Sequence, residues 1–237
     1  MPLNSRILAN TNSRLQTENS SGVRVSEHQS QKRNVFFDLD GTLHQQDLFG
    51  CFIRYMIRRL PANLIILIPL LPVIVLGLLI NGRNSRWPMS LMLWAITAGQ
   101  NEARLKWLEQ QFIQNFRQDV VPFPVVQGRL AEYLNDENTQ VWLLTGSPQR
   151  LVEEAYADSF FLGKVNLIGS QMVSRYGGWV IDMRCLGKQK VVELEQRLGK
   201  PLSLYSGYSD SIQDDPVLAC CQHRWRVDEQ GNLKELE

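Results

Sequence analysis

The chain has 237 residues, 44% of them apolar, and a formal net charge of +1. That length suits one large domain or two modest ones with a full core. The near-zero charge excludes a global electrostatic pull toward nucleic acid. The four cysteines, with no Cys-x-x-Cys pair, argue against a zinc framework and read as reduced thiols.

Residues 1–33 are rich in Asn, Ser, Gln and Thr and lack the apolar run of a secretory signal. They read as a disordered tail, with ordered structure expected from Asn34. Val35-Phe36-Phe37 then predicts a short buried strand, and Asp38-Leu39-Asp40-Gly41-Thr42 a turn at its end. Gly41 permits the tight turn. Two carboxylates two residues apart can hold Mg²⁺, supply a nucleophile, or act as acid and base. An acidic turn with no further use fits the same five residues.

Cys51–Leu60 predicts an amphipathic helix with a basic face that includes Arg54, Arg58 and Arg59. Leu64–Ile80 follows, 17 residues without a charged or polar side chain. As one helix it would span roughly 26 Å, near the lower limit for a bilayer, with Pro69 and Pro72 breaking or kinking it. Arg58 and Arg59 before it, and Arg83 and Arg86 after it, favour the cytoplasmic side at both ends. If the acidic turn needs residues from the second half, both halves must lie on one side. The segment is then expected to dip in and return, lie at the interface, or pair with a second span. Trp87–Gly99 is apolar but only 13 residues long, which suits a re-entrant or interfacial arm. A fully buried soluble helix is the competing reading. Asn101–Phe116 restores helical periodicity through Leu105, Leu108, Phe112 and Phe116.

In the second half, Val126–Leu134 predicts a helix and Gln140–Leu144 a buried strand. Thr145-Gly146-Ser147-Pro148 follows, with Pro148 in the first turn of a helix running to Tyr156. A hydroxyl facing free helix amides can cradle phosphate. Val165–Ile181 predicts a local β excursion with a turn at Gly177-Gly178. Cys185–Leu198 opens a helix carrying Lys188 and Lys190 near its start, where the helix dipole disfavours a cation. An anion partner would explain one of the two lysines. Leu202–Tyr205 reads as a strand before a second acidic turn holding Asp210 and Asp214, a further pair of oxygen donors for Mg²⁺. Arg224–Val227 predicts a last short strand, and the tail after Gly231 looks peripheral.

Strands followed by helices at Val35, Val141 and Leu202 predict an α/β fold with a doubly wound parallel sheet. Such a sheet brings Asp38, Asp40, Thr145, one of the two lysines, Asp210 and Asp214 to one rim. That set suits an anionic, metal-bound substrate such as a phosphate ester.

The motifs Asp38-Leu39-Asp40-Gly41-Thr42, Thr145-Gly146-Ser147, Lys190 (Lys188 as runner-up) and Asp210-Ser211-Ile212-Gln213-Asp214, in this order, resemble those of haloacid dehalogenase-like phosphatases. The resemblance runs from about Val35 to Val227. Within that family, Phe36–Asp47, Trp87-Pro88-Met89-Ser90, Tyr176-Gly177-Gly178-Trp179 and Tyr205–Ser211 resemble the bacterial phosphatidylglycerophosphatase C group. Tyr208 departs from the family pattern, which has Gly two residues before the acidic residue.

The resemblance implies a division into core at 34–46, a helical, membrane-associated cap at 47–124 with its hydrophobic segment at 61–80, and core again at 125–237. It implies Asp38 as nucleophile, Asp40 as acid and base, Thr145 and the Gly146 amide on a phosphoryl oxygen, and Lys190 offsetting charge. Mg²⁺ would lie on Asp38, Asp210 and the Asp40 carbonyl, with Asp214 holding the metal shell or orienting Lys190. Arg54, Arg58, Arg59, Arg83 and Arg86 are candidates for headgroup or membrane-surface contacts, with Arg58 and Arg59 placed at the substrate. The implied activity is hydrolysis of phosphatidylglycerophosphate at the cytoplasmic face of the bacterial inner membrane, with the phospholipid membrane as partner and no nucleic acid. A soluble small-molecule phosphatase with a hydrophobic cap, and a non-catalytic membrane adaptor on the same fold, are the alternatives. Phosphoserine phosphatase fits less well, because its cap is short and polar.

Overall fold

The computed structural model describes residues 32–82 and 85–237. Most of the expected N-terminal tail, together with Arg83, lies outside the described residues. Lys32 and Arg33 belong to the folded body, and strand β1 starts at Arg33 (Arg33–Asp38). The other strands are β2 (Thr139–Pro148), β3 (Asn166–Arg175), β4 (Gly178–Met183), β5 (Leu204–Ser209), β6 (Cys221–Val227) and β7 (Leu233–Leu236). They form one sheet in the order β4-β3-β2-β1-β5-β6-β7. Strands β1, β2, β3, β5 and β6 run parallel, so the carboxyl ends of β1, β2 and β5 share one rim.

Both edges depart from an all-parallel sheet. The β3–β4 pair is antiparallel, and so is β6–β7. The expected local excursion at Val165–Ile181 is therefore part of the main sheet. The first half of β3 pairs with β2 and its second half turns back as a hairpin with β4. The tail after Gly231 is also structural, because β7 covers the free edge of β6. The expected strand at Leu202–Tyr205 runs two residues later and ends at Ser209.

Alternation along β1 and β2 builds a core on each face. Val35, Phe37, Val141 and Leu143 pack on one side with α5 (Pro124–Leu134) and α6 (Gln149–Ala155). Phe36, Trp142 and Leu144 pack on the other with α7 (Lys188–Leu198) and α8 (Asp215–Leu218). Tyr208 joins the first side. Its ring stacks on Phe37 at 4.3 Å and on Trp225 at 6.0 Å, across three neighbouring strands. The close backbone approach falls instead on Gly207, where a Cβ would lie 2.2 Å from the Phe36 ring.

Four helices are inserted between β1 and α5: α1 (Leu48–Arg59), α2 (Leu64–Asn81), α3 (Arg86–Thr97) and α4 (Glu102–Asp119). Asp47 caps α1 by accepting from the Gly50 amide, and Asn101 caps α4 through the Ala103 amide. Helix α2 continues through Pro69 and Pro72 without the expected break. Each proline removes one donor, and packing of α3 along α2 supports the helix past the gaps. Trp87 of α3 fills the notch left by Gly77 of α2, where a Cβ would lie 2.2 Å from the indole.

Helix α3 returns the chain to the sheet by covering edge strand β4. The Ile181 amide donates to Ser90 Oγ (3.1 Å), and the Trp179 amide donates to Thr97 Oγ1 (2.7 Å). The Trp94 indole donates to the Tyr176 carbonyl (2.9 Å). Buried Trp179 also donates to Glu102 of α4 (3.0 Å) and lies under the Arg150 guanidinium of α6 (4.1 Å). Cap, β-hairpin and core are thereby tied together. Among the described residues, the stretch Pro61–Asn81 is the one helix long and apolar enough to cross a membrane, and 22% of its most apolar 18-residue window is buried.

Gly207→Ala is expected to cost about 1–3 kcal/mol, because its methyl group meets Phe36 and the Cys221 sulfur with no room to yield. A lower urea midpoint at unchanged slope is the expected result.

Candidate active site

The rim gathers its groups from four places. Asp38 closes β1, and Gly41 takes a positive φ of 74° to turn the chain back. Thr42 then reaches Asp210 after β5, donating to its Oδ1 (3.2 Å) and accepting from its amide (3.0 Å). A Cβ on Gly41 would lie 2.5 Å from the Asp210 carboxylate, so glycine is needed for this approach.

Lys190 lies in the first turn of α7 with 1% of its surface exposed. Its Nζ donates to Asp38 Oδ1 (2.6 Å) and to Asp214 Oδ2 (2.7 Å). Ser209 Oγ donates to the same Asp214 oxygen (2.8 Å). Lys188 is exposed and faces a neighbouring cavity. Burial opposes charge on Lys190, but Asp38 and Asp214 outweigh it, and its pKa is raised. The Asp38 carboxyl is pushed well above the usual range by burial, against the pull of Lys190, with Asp214, Asp210 and Asp40 adding like-charge repulsion. Burial also raises Asp210.

Asp40 sits in a cage of donors. The Leu48 amide donates to Oδ1 (2.8 Å), while Thr145 Oγ1 (2.9 Å) and Ser147 Oγ (2.7 Å) donate to Oδ2. These bonds favour the carboxylate, yet burial dominates and the pKa rises to about 6. The Thr145 hydroxyl is thus turned onto Asp40, where a contact to a phosphoryl oxygen had been expected. Gly146 and Ser147 face the cavity at this turn, where β2 bulges between Thr145 and Pro148. The Gly146 carbonyl accepts from Ser170 Oγ (2.7 Å), which in turn accepts from the Cys185 amide (3.0 Å). His44 is buried beside Asp40, its Nε2 4.0 Å from Oδ1 and its ring stacked on Tyr156. Burial lowers its pKa to about 4, so it adds no positive charge at neutral pH.

A cavity of about 440 Å³ opens over Asp38, Asp40, Lys190, Asp210 and Asp214. Its outer wall comes from the cap, through Phe49 and Ile53 of α1 and Met89 and Met92 of α3. Arg184, after β4, is a cation on this wall that sequence reasoning missed. It donates to the Ser85 carbonyl (2.9 Å). Arg58 and Arg59 do not line this cavity. Arg58 borders a separate one between α1 and α4, and Arg59 lies 5.2 Å over the Tyr55 ring. Asp215 pairs with Arg226, away from the cavity.

Two further cavities follow the first in series. One, of about 760 Å³, shares Arg184, Leu186 and Gln213 with it. The next, of about 560 Å³, shares Arg86 and Asp182 with the second and is walled by Trp87, Leu91, Trp94 and Tyr176. Among the described residues, no three His, Cys, Asp or Glu side chains form a group able to hold a metal ion by themselves.

The sequence matches the haloacid dehalogenase-like hydrolase family over residues 35–219. The fold is similar to that of a protein of unknown function from Bordetella pertussis Tohama I, at 21% identity over 81% of this chain and 89% of that one, with a TM-score of 0.60. A phosphoserine phosphohydrolase-like protein from Francisella tularensis subsp. tularensis SCHU S4 gives 14% identity, 84% and 88% coverage and a TM-score of 0.56. A phosphoserine phosphatase, solved as a phospho-aspartyl intermediate analogue, gives 11% identity, 82% and 85% coverage and a TM-score of 0.51.

Lys190→Met is expected to destabilise the protein by about 3–5 kcal/mol, because two buried carboxylates lose their counter-charge. Chemical denaturation at neutral pH measures this. The family match runs from β1 to the end of α8, across the cap and the central strands, and the chain belongs to the haloacid dehalogenase-like hydrolases.

Proposed function

We propose that the chain is a phosphomonoester hydrolase acting through an aspartyl-phosphate on Asp38. The observation that carries this reading is the placement of Lys190 between Asp38 and Asp214 on the wall of a cavity that also holds Asp40. An Asp38 oxygen attacks phosphorus as the ester P–O bond breaks, and Asp40 delivers its proton to the departing alkoxide. Asp40, now ionised, takes a proton from water as that water attacks the phosphoryl group. Inorganic phosphate leaves and Asp38 is restored. Lys190 stays protonated throughout and offsets charge on the transferring group.

A nucleophile must be ionised, and burial first, with repulsion from Asp214, Asp210 and Asp40 behind it, holds the Asp38 carboxyl above its usual range against the pull of Lys190. Asp214 Oδ1 is also buried without a hydrogen-bond partner. These hard oxygens fit Mg²⁺. Asp38, Asp210 and the Asp40 carbonyl would hold it, with Asp214 behind them. When bound, Mg²⁺ supplies charge that lowers repulsion between carboxylate and phosphate.

For the substrate we infer phosphatidylglycerophosphate, taken at the cytoplasmic face of the bacterial inner membrane. Support comes from the exposed apolar side of α2, where Ile65 is 80% and Leu79 77% exposed. The Trp87–Trp94 groove beside it gives further support. A second reading, a soluble phosphatase for small esters, is favoured by the similarity in fold to phosphoserine phosphatases.

Asp38→Asn is expected to abolish phosphate release, and chelation should stop it until Mg²⁺ is restored. Release that survives Asp38→Asn would overturn the nucleophile. Wild-type protein should release phosphate from phosphatidylglycerophosphate in vesicles faster than from soluble esters and should float with those vesicles. Recovery without detergent, together with preference for soluble esters, would establish the second reading.

The Asp40 pKa of about 6 sets opposite pH trends for the two steps. Phosphoenzyme formation needs the protonated form and is expected to fall by about tenfold per pH unit above 6. Hydrolysis of the phosphoenzyme needs the ionised form and should fall below 6. Rapid-quench measurement of each step checks both slopes.

A further inference from the structure

We infer that the second cavity is a subsite for a second anionic group on the substrate. The preferred ligand is then a phosphomonoester that carries another phosphate or phosphodiester a short distance away. The two cavities share Arg184, Leu186 and Gln213, so one molecule can occupy both. Arg184, Lys188 and Arg86 all border the second cavity, and Asp182 is its acidic residue. Asp182 is already engaged by Arg175, 2.8 Å away, and by Arg86 at 3.8 Å. With Asp182 offset by Arg175 and Arg184 lying in the field of Asp47, the charge of Lys188 and Arg86 leaves the chamber positive.

Two of these cations have a fixed base. Arg184 is held by the Ser85 carbonyl, and Arg86 donates to the Asp182 carbonyl at 2.5 Å. Lys188 stands in the first turn of α7, where the helix dipole opposes a positive charge. An anion in the chamber offsets both the mutual repulsion and the dipole. Lys188 is also the lysine that the catalytic site leaves unused. The proposed phosphatase activity enters this inference only in deciding which end of the ligand meets Asp38.

The test is equilibrium binding to the Asp38→Asn protein at physiological salt. The probes are alkanediol bisphosphates of increasing length, each beside its alkyl monophosphate. One length is expected to bind about tenfold tighter than its monophosphate, the scale of a charge-assisted pair. Lys188→Gln and Arg86→Gln, both at exposed positions, should together remove that advantage. Lys188→Arg should keep it, as should Arg129→Gln on α5. A bisphosphate series with no advantage at any length overturns the subsite, as does an advantage that survives both Gln substitutions. Phosphate release by the wild type is read separately. No release together with an intact advantage would sink the phosphatase reading and leave the subsite standing. Release without the advantage would do the reverse.

Discussion

One buried ammonium group governs this architecture. Lys190 has almost no exposure to water and two carboxylates within 2.7 Å. Removing such charges from solvent costs several kcal/mol each unless they meet in good geometry. That geometry requires the end of β1, the turn after β5 and the start of α7 to converge. The strand order β2-β1-β5 provides it, because β1 sits at the centre of the parallel block and the flanking strands end beside it. Ser209 and Thr42 then fix Asp214 and Asp210 around the pair.

The groups at this centre were legible because each stands in a short signature at a strand end. Asp38, Asp40, Asp210 and Asp214 flank apolar runs, and Lys190 follows a glycine that opens a helix. Ser147 was harder to read. A hydroxyl in a turn has many uses, and only the fold shows it donating to Asp40 beside Thr145. Arg184 carries no pattern, since a basic residue after a hairpin looks like any surface cation. Strand β3 misled for a physical reason. Its two halves have different partners, parallel and antiparallel, and the hairpin half dominates the local turn signal. Arg58 and Arg59 show the limit of reading charge by proximity in sequence, because Arg58 borders a cavity between α1 and α4 and Arg59 lies over Tyr55, and neither lines the cavity over Asp38.

Tyr208 illustrates how a departure from a family pattern is absorbed. The tight approach expected of glycine has moved one residue back, to Gly207. The tyrosine ring faces the opposite side of the sheet, and its hydroxyl lies 3.1 Å from that of Tyr133 on α5. Phe37, Tyr208 and Trp225 stack in register across β1, β5 and β6, so the strands that carry the acidic turns are held at a fixed spacing by aromatic faces.

Helix α3 joins three surfaces. One side interlocks with the apolar helix through Trp87 and Gly77. A second seals the last strand of the hairpin through Ser90 and Thr97. A third presents Met89 and Met92 to the cavity over Asp38. Helix α3 is thus a single element common to the apolar helix, the edge of the sheet and the wall above the carboxylates, so its placement fixes all three contacts at once.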